Sequence, residues 1–467
     1  MTQDPLVELP RQFEGLDRLL NDMTIKQARG GIGLLGLGQF GDAVETTLPS
    51  LNLEKHVQAA IDSGNQHLMS ALFRDYCFAT SAYLLEPVDR QFRATGKYGE
   101  GRRSLPACLA VPLKALADAL GHYPYMEYAS SYALQNYKRI VCQDPDKLGP
   151  MESWQADNLR IIRAFEDAEG SENGFIIVHI AMVAWSGRLV GAVEEALAAV
   201  ECGDRKAFNH VVNGPDGLLP TYRKINQVMD TMWSWSRPVD YLRFRSFIFG
   251  TAPGNKLNSM FPHGVVYEGV SDEPTHFRGE SGSNDSLIPL LDNLLQITEQ
   301  LPDNELTATL REFRTYRPSA QRVYLEHLEH RARDLRVANF AKQDPQSLAL
   351  YILLVDQNRE FRDRHWRFTK EYIIKYSDYQ VATGGSPILK YLPHNLRTVL
   401  NVLEEACDAL PDTSVLGNEE LIEQVDAAKR RAKTQKRVLD REVEQLKQKV
   451  SGQHDKRIFD TTKWTRG

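Results

Sequence analysis

Cysteine is scarce in this chain and poorly placed for chemistry. The five cysteines, Cys77, Cys108, Cys142, Cys202 and Cys407, are odd in number, scattered over 467 residues and never spaced as CxxC. That pattern argues against a disulfide framework and a thiolate zinc site, and it fits a reducing compartment. An excess of positive charge is also missing. With a formal net charge of −6, the chain has no global field that would draw it to nucleic acid or an anionic membrane. The N-terminal run MTQDPLVELPRQFEG lacks a basic segment followed by an apolar one. No signal peptide is therefore expected, and the chain reads as cytoplasmic. Strand-like alternation is sparse and no internal repeat is visible. The stretch 174–200 comes nearest to a membrane span, but it carries His179, Arg188, Glu194 and Glu195, which favours a buried core helix.

What is present is a globular composition, 42% hydrophobic and 25% charged, in a chain long enough for two domains or one large domain with additions. Periodic runs predict helices over 174–200, 219–236, 285–301, 303–315, 318–340, 345–377, 388–410 and 418–450. The fold class is mainly α. Residues 1–143 read as a smaller N-terminal domain with a helix-like segment around 52–85. Two prolines and a glycine make 142–150 the linker, and 151–415 form the large helical domain. Residues 416–467 form a charged helix and tail, in which Leu421, Val425, Ala428, Ala432, Leu439, Leu446 and Val450 fall near a/d spacing. Gln435 and Glu442 interrupt that stripe, so a helix packed along the body is preferred to a coiled-coil seam with a second chain. A monomer is expected, with this helix as the route to a dimer.

Some motifs tempt and fail. Gly36-Leu-Gly38-Gln-Phe-Gly41 matches GxGxxG, but no βαβ context surrounds it and Pro49 ends any following helix early. Gly279-Glu-Ser281-Gly282-Ser283 lacks the final glycine of a nucleophile elbow. His327 and His330 share a helix face without a third ligand.

Two other histidines carry more. Leu354, Phe361, His365, Phe368 and Tyr372 share one face of a helix, and an imidazole on an apolar stripe needs a partner for its ring nitrogens. A haem iron is one such partner, and a core carbonyl or carboxylate is another. His179 poses the same question, with Phe175, Ile176, Met182 and Val183 one turn away. Two such residues on separate helices suggest a site between helices.

Seven blocks then share an order with a known family. They are Leu105-Pro-Ala-Cys-Leu-Ala-Val-Pro112, the run Met-Glu-Tyr-Ala-Ser around Tyr128, Gly174-Phe-Ile-Ile-Val, and Arg245-Ser-Phe-Ile-Phe-Gly250. Gly264-Val-Val-Tyr-Glu-Gly269 through Arg278-Gly-Glu-Ser281-Gly-Ser-Asn-Asp-Ser286, the run from His365 to Tyr372, and Thr383-Gly-Gly-Ser386 complete the set. Together they resemble indoleamine 2,3-dioxygenase, leaving the first hundred residues and the tail after about 415 uncovered. The resemblance implies a helical domain holding haem b, dioxygen as co-substrate, and cleavage of the indole 2,3 bond of L-tryptophan to N-formylkynurenine. It implies His365 as the proximal iron ligand and Arg362 near a haem propionate. Arg245 would pair with the substrate carboxylate, as a guanidinium fork suits. Tyr241, Phe175 and Tyr128 would line the indole pocket, although the spacing from Pro238 to Tyr241 is one residue short. Ser281 and Gly282 would lie over the distal haem face, and Thr383 with its two glycines would form a loop closing over substrate. His179 stands where the animal enzymes carry a small hydroxyl residue. The sister family, tryptophan 2,3-dioxygenase, has a distal histidine that hydrogen-bonds the indole N–H. His179 and Ser281 are therefore the expected catalytic residues, and His179 keeps open a haem monooxygenase acting on a substituted indole. A haem sensor or carrier is the non-enzymatic alternative.

Overall fold

The structure, a computed structural model, describes residues 4–27, 30–140, 151–252, 259–301, 303, 305–379 and 381–451. Helices hold 68% of the chain and strands 4%, so the mainly α expectation is met. The proposed linker 142–150 lies outside the described residues. Residues before and after it share one hydrophobic cluster that runs from Phe13 to Ala432.

The helix Gln66–Thr95 explains why. Asn65 starts it by accepting from the Leu68 N–H at 3.0 Å, and Gly96 stops it at a φ of 72°. Between them the helix is buried on nearly all sides from Met69 to Asp89. It also buries charge. Arg163, from beyond the linker, grips Asp75 through Nε at 3.0 Å and Nη2 at 2.8 Å, while Arg74 Nε donates to the same carboxylate at 2.7 Å. Burial by itself would raise the Asp75 pKa, but the charges of Arg163 and Arg74 win and bring it to about 2. A lowered carboxylate pKa stabilises the fold at pH values above the unfolded one, and that contribution fades as pH falls from the ordinary 3.8 towards 2. Asp75→Asn is expected to cost about 3 kcal/mol in denaturant titration. It should also flatten the loss of stability between about pH 4 and pH 2; an unaltered acid limb would remove Asp75 from this role.

Two strand groupings complete the framework. Ser104–Leu105 pairs in parallel with Val265–Tyr267, which pairs antiparallel with Ser271–Thr275. Lys138–Arg139 pairs with Leu159–Arg160. The glycine motif at 36–41 is absorbed structurally: the N–H groups of Phe40 and Gly41 donate to the Glu86 carboxylate at 2.7 and 3.0 Å. An internal side chain thus fills the anion position that the motif advertised.

The helix expected over 174–200 is two, Ser171–Val183 and Ser186–Glu201. The Ser186-Gly187 pair at the break is weak in helix propensity. The stretch is long and apolar enough to cross a membrane by composition, but 56% of its most apolar window is buried in the protein. Helices Arg205–Asn213 and Pro238–Arg245 were not expected from periodicity. The second is short and contacts protein on several sides, which erases any amphipathic signature, and only Pro238 in its first turn marks its start.

The C-terminal helix Glu419–Ser451 packs along the body. Val425, Ala428, Ala432, Leu439 and Val443 are buried there. The residues that interrupt its apolar stripe have partners on the helix that carries His365. Gln435 accepts from Arg359 at 2.7 Å, and Glu442 accepts from the indole N–H of Trp366 at 3.0 Å and from Lys370 at 2.8 Å.

Candidate active site

His365 lies near the end of the helix Pro345–Thr369, which starts on an Asp344 cap accepting from Ser347 N–H at 2.8 Å. One face of this helix, through Trp366, Arg359 and Asp356, packs on the C-terminal helix. The other face turns Phe361, His365, Phe368 and Thr369 into a cavity. A π-helical turn at Lys370–Ile374 follows and brings Tyr372 into the same wall, its hydroxyl donating to Ser236 O at 2.5 Å. A second π-helical turn, Tyr128–Ala133, brings Tyr128 to the same cavity. Such turns recur at functional sites because the extra residue re-aims side chains.

The void measures about 1200 Å³ counted out to its mouth. It adjoins a second lobe of about 970 Å³, and Gly282, Asp285, Phe361, His365 and Leu392 border both. His365 is exposed by area, yet its open surface is cavity wall rather than outer surface. That explains how burial, with smaller contributions from His179 and Arg362, depresses its pKa to about 4. A neutral imidazole, with no hydrogen-bond partner for its ring nitrogens among the described residues, would be free to hold a haem iron. The second lobe is lined by Arg314, Arg317 and Arg362. Arg317 is buried and donates to the carbonyls of Asn284 and Asp285 at 3.2 and 3.1 Å, while Arg362 pairs with Asp292 at 2.5 Å. A largely apolar cavity with an unpartnered imidazole, joined to a lobe where three arginines outnumber Asp285 and Asp292, fits an anionic macrocycle such as haem. Arg314 and Arg317 went unnoticed in the sequence, since nothing distinguishes them from surface arginines until the fold turns them inward.

His179, which lines the same cavity, is held by its own helix. Its Nδ1 lies 2.8 Å from Phe175 O, and a carbonyl can only accept. Nδ1 therefore carries the proton. Burial lowers the pKa, so the ring is neutral, and Nε2 is left as an acceptor. Around it stand Phe175, at 4.8 Å between ring centroids, and Tyr128, at 6.0 Å. Phe175 packs in turn on Tyr241 at 5.1 Å.

The loop around Thr383 is closed. Thr383 Oγ1 donates to Glu280 O at 2.5 Å, Gly250 N to Thr383 O at 3.1 Å, and Arg278 Nη1 to Gly384 O at 3.0 Å. Gly385 sits at a φ of 88°, which demands glycine. Tyr128, Phe175, His179, Tyr241, Ser281, Gly282, Thr383 and His365 thus share one cavity, and Arg362 lines the adjoining lobe. Arg245 lies on neither wall. It is fully buried behind them, with Nη2 on Val381 O at 2.6 Å and its guanidinium 4.8 Å from the Phe249 ring. Among the described residues its Nε and Nη1 have no hydrogen-bond partner. Glu280 also lines the cavity and was passed over in the sequence, because a glutamate beside a turn reads as solvated surface. His327 and His330 join no metal cluster among the described residues.

Comparison with known proteins assigns the family. A family profile described as Indoleamine 2,3-dioxygenase matches residues 2–411. A mouse Indoleamine 2,3-dioxygenase 1 is 28% identical over 81% of this chain and 83% of its own length. Indoleamine 2,3-dioxygenase nanC of Aspergillus nanangensis is 26% identical over 64% of this chain and 75% of its own. A protein named Myoglobin from Haliotis madaka is 23% identical over 83% of this chain and 92% of its own. The match runs through both histidine-bearing helices, and the chain belongs to the indoleamine 2,3-dioxygenase family of haem- and dioxygen-dependent oxidoreductases.

Proposed function

We propose that the chain cleaves the 2,3 bond of L-tryptophan to give N-formylkynurenine, as a cytoplasmic monomer. The observation that carries this reading is the pair of neutral histidines lining one aromatic cavity, His365 without a partner for its ring nitrogens among the described residues and His179 presenting an acceptor nitrogen. His365 holds the haem, which supplies dioxygen activation when bound. His179 Nε2 accepts the indole N–H, which orients the ring and raises electron density on its pyrrole carbons. Phe175 and Tyr241 hold the ring plane, and the Thr383 loop excludes water. Arg245 takes the carboxylate through the N–H groups left unpaired in the closed loop, which requires the Val381 segment to give way.

Mass analysis of the product formed from L-tryptophan, with ascorbate and a redox dye under air, tests the reaction. Gain of two oxygen atoms with ring opening is expected, whereas one oxygen would assign a monooxygenase. Arg245→Ala is expected to raise KM for L-tryptophan by about 10- to 100-fold, the value of a charge-assisted pair, and to change an indole without a carboxylate far less. Equal effects on both would take Arg245 out of this role. The Haliotis relative's name favours a second reading, reversible oxygen binding without turnover. Full haem loading with no product from any indole would favour it.

A further inference from the structure

The cavity wall carries a carboxyl group that the reading above leaves unused. Glu280 is 5% exposed, and its loop is fixed in place. Its carbonyl accepts from Thr383, and a side chain at the preceding Gly279 would meet Gly250 N at 2.3 Å and Thr383 O at 2.5 Å, so the backbone has no room to retreat. The Glu280 carboxyl makes no hydrogen bond or ion pair among the described residues, and it lines the cavity beside Tyr128, His179 and Tyr241. Burial, with a smaller contribution from Glu127, pushes its pKa up to about 8. Glu127 is itself buried behind the Tyr128 turn and raised to about 7. Buried polar groups are satisfied as a rule, and a neighbouring carboxyl raises the cost of ionising this one. A cationic donor brought by a ligand would satisfy this carboxyl and favour its ionised form.

Arg245 supplies the second coordinate. Arg245 follows Tyr241 by one turn of the helix Pro238–Arg245, and Glu280 lines the same cavity as Tyr241. A guanidinium with unpaired N–H groups and an unpaired carboxyl near one aromatic residue complement the two ends of an α-amino acid. We propose that Glu280 is a specificity-determining residue that binds the ammonium group of the indole substrate, so that the site selects tryptophan-like zwitterions over indoles bearing a carboxylate alone. This rests on the indole-oxygenase reading and narrows its substrate class.

The test measures dissociation constants on the ferric holoenzyme, from perturbation of its absorption spectrum, for L-tryptophan, indole-3-propionate and tryptamine. In the wild type, L-tryptophan is expected to bind at least 10-fold more tightly than indole-3-propionate. In Glu280→Gln that preference should fall towards unity, with tryptamine weakened in parallel and indole-3-propionate unchanged. Equal weakening of all three ligands, or a preference that survives the substitution, overturns the inference alone. Wild-type protein that neither binds nor oxygenates any of the three overturns the indole reading itself. A comparison that needs no variant sets tryptamine against indole-3-ethanol, its neutral analogue of equal length, on the wild type. Tighter binding of tryptamine supports the role of Glu280, and equal binding contradicts it.

Discussion

His365→Ala is expected to abolish the Soret band of the purified protein and to lower turnover by at least 10³-fold, while the far-ultraviolet circular dichroism stays helical. The separation of effects follows from where the residue sits. His365 contributes little to the core, because its open surface faces the cavity while its neighbour Trp366 is 1% exposed. Removing the imidazole should leave the helix Pro345–Thr369 anchored through Trp366, Arg359 and Asp356. The arginines of the adjoining lobe would remain, so the variant should retain weak affinity for haemin, and added imidazole should restore part of the band. A wild-type Soret band that survives in His365→Ala would mean that another residue ligates the iron. His179 would then be the residue to test, since it is the other histidine on the wall.

Truncation after Gly417 is expected to be more severe still, giving protein that neither folds cooperatively nor retains haem. The family profile matches residues 2–411, and the helix Glu419–Ser451 follows that match. It buries Val425, Ala428, Ala432, Leu439 and Val443. At about 1.5–3 kcal/mol for each fully buried large aliphatic side chain, and less for alanine, the loss approaches the whole stability of a typical domain, about 5–15 kcal/mol. The same cut strips Glu442 from Trp366 and Lys370, on the turns directly after His365. A milder variant separates packing from positioning. Glu442→Ala removes the acceptor of the Trp366 N–H and is expected to lower the melting temperature modestly while haem stays bound. Truncated protein with unchanged melting and spectrum would show that the helix is a passenger.

Much of this was legible beforehand, for definable reasons. The long helices from residue 150 onward were marked by periodicity and by proline and glycine breaks, which are local signals. His365 and His179 stood out because a titratable ring on an apolar stripe is a local anomaly. The helix Pro238–Arg245 was invisible because it packs on several sides, and the apolar run at 174–200 concealed a break that only packing reveals. Gln435 and Glu442 looked like flaws in a coiled-coil stripe; their partners, Arg359 and Trp366, are about 76 residues away in sequence.

By itself the sequence determined the helical class, the two histidines and the family blocks, because spacing along a helix and the order of motifs are properties of neighbours in the chain. Tertiary structure alone decided which nitrogen of His179 accepts, that Arg245 waits behind the wall with two unpaired nitrogens, and that Glu280 faces the cavity. Each of these depends on a contact or a void formed by segments far apart in the chain, and burial, which sets protonation and leaves a polar group in want of a partner, exists only after those segments meet.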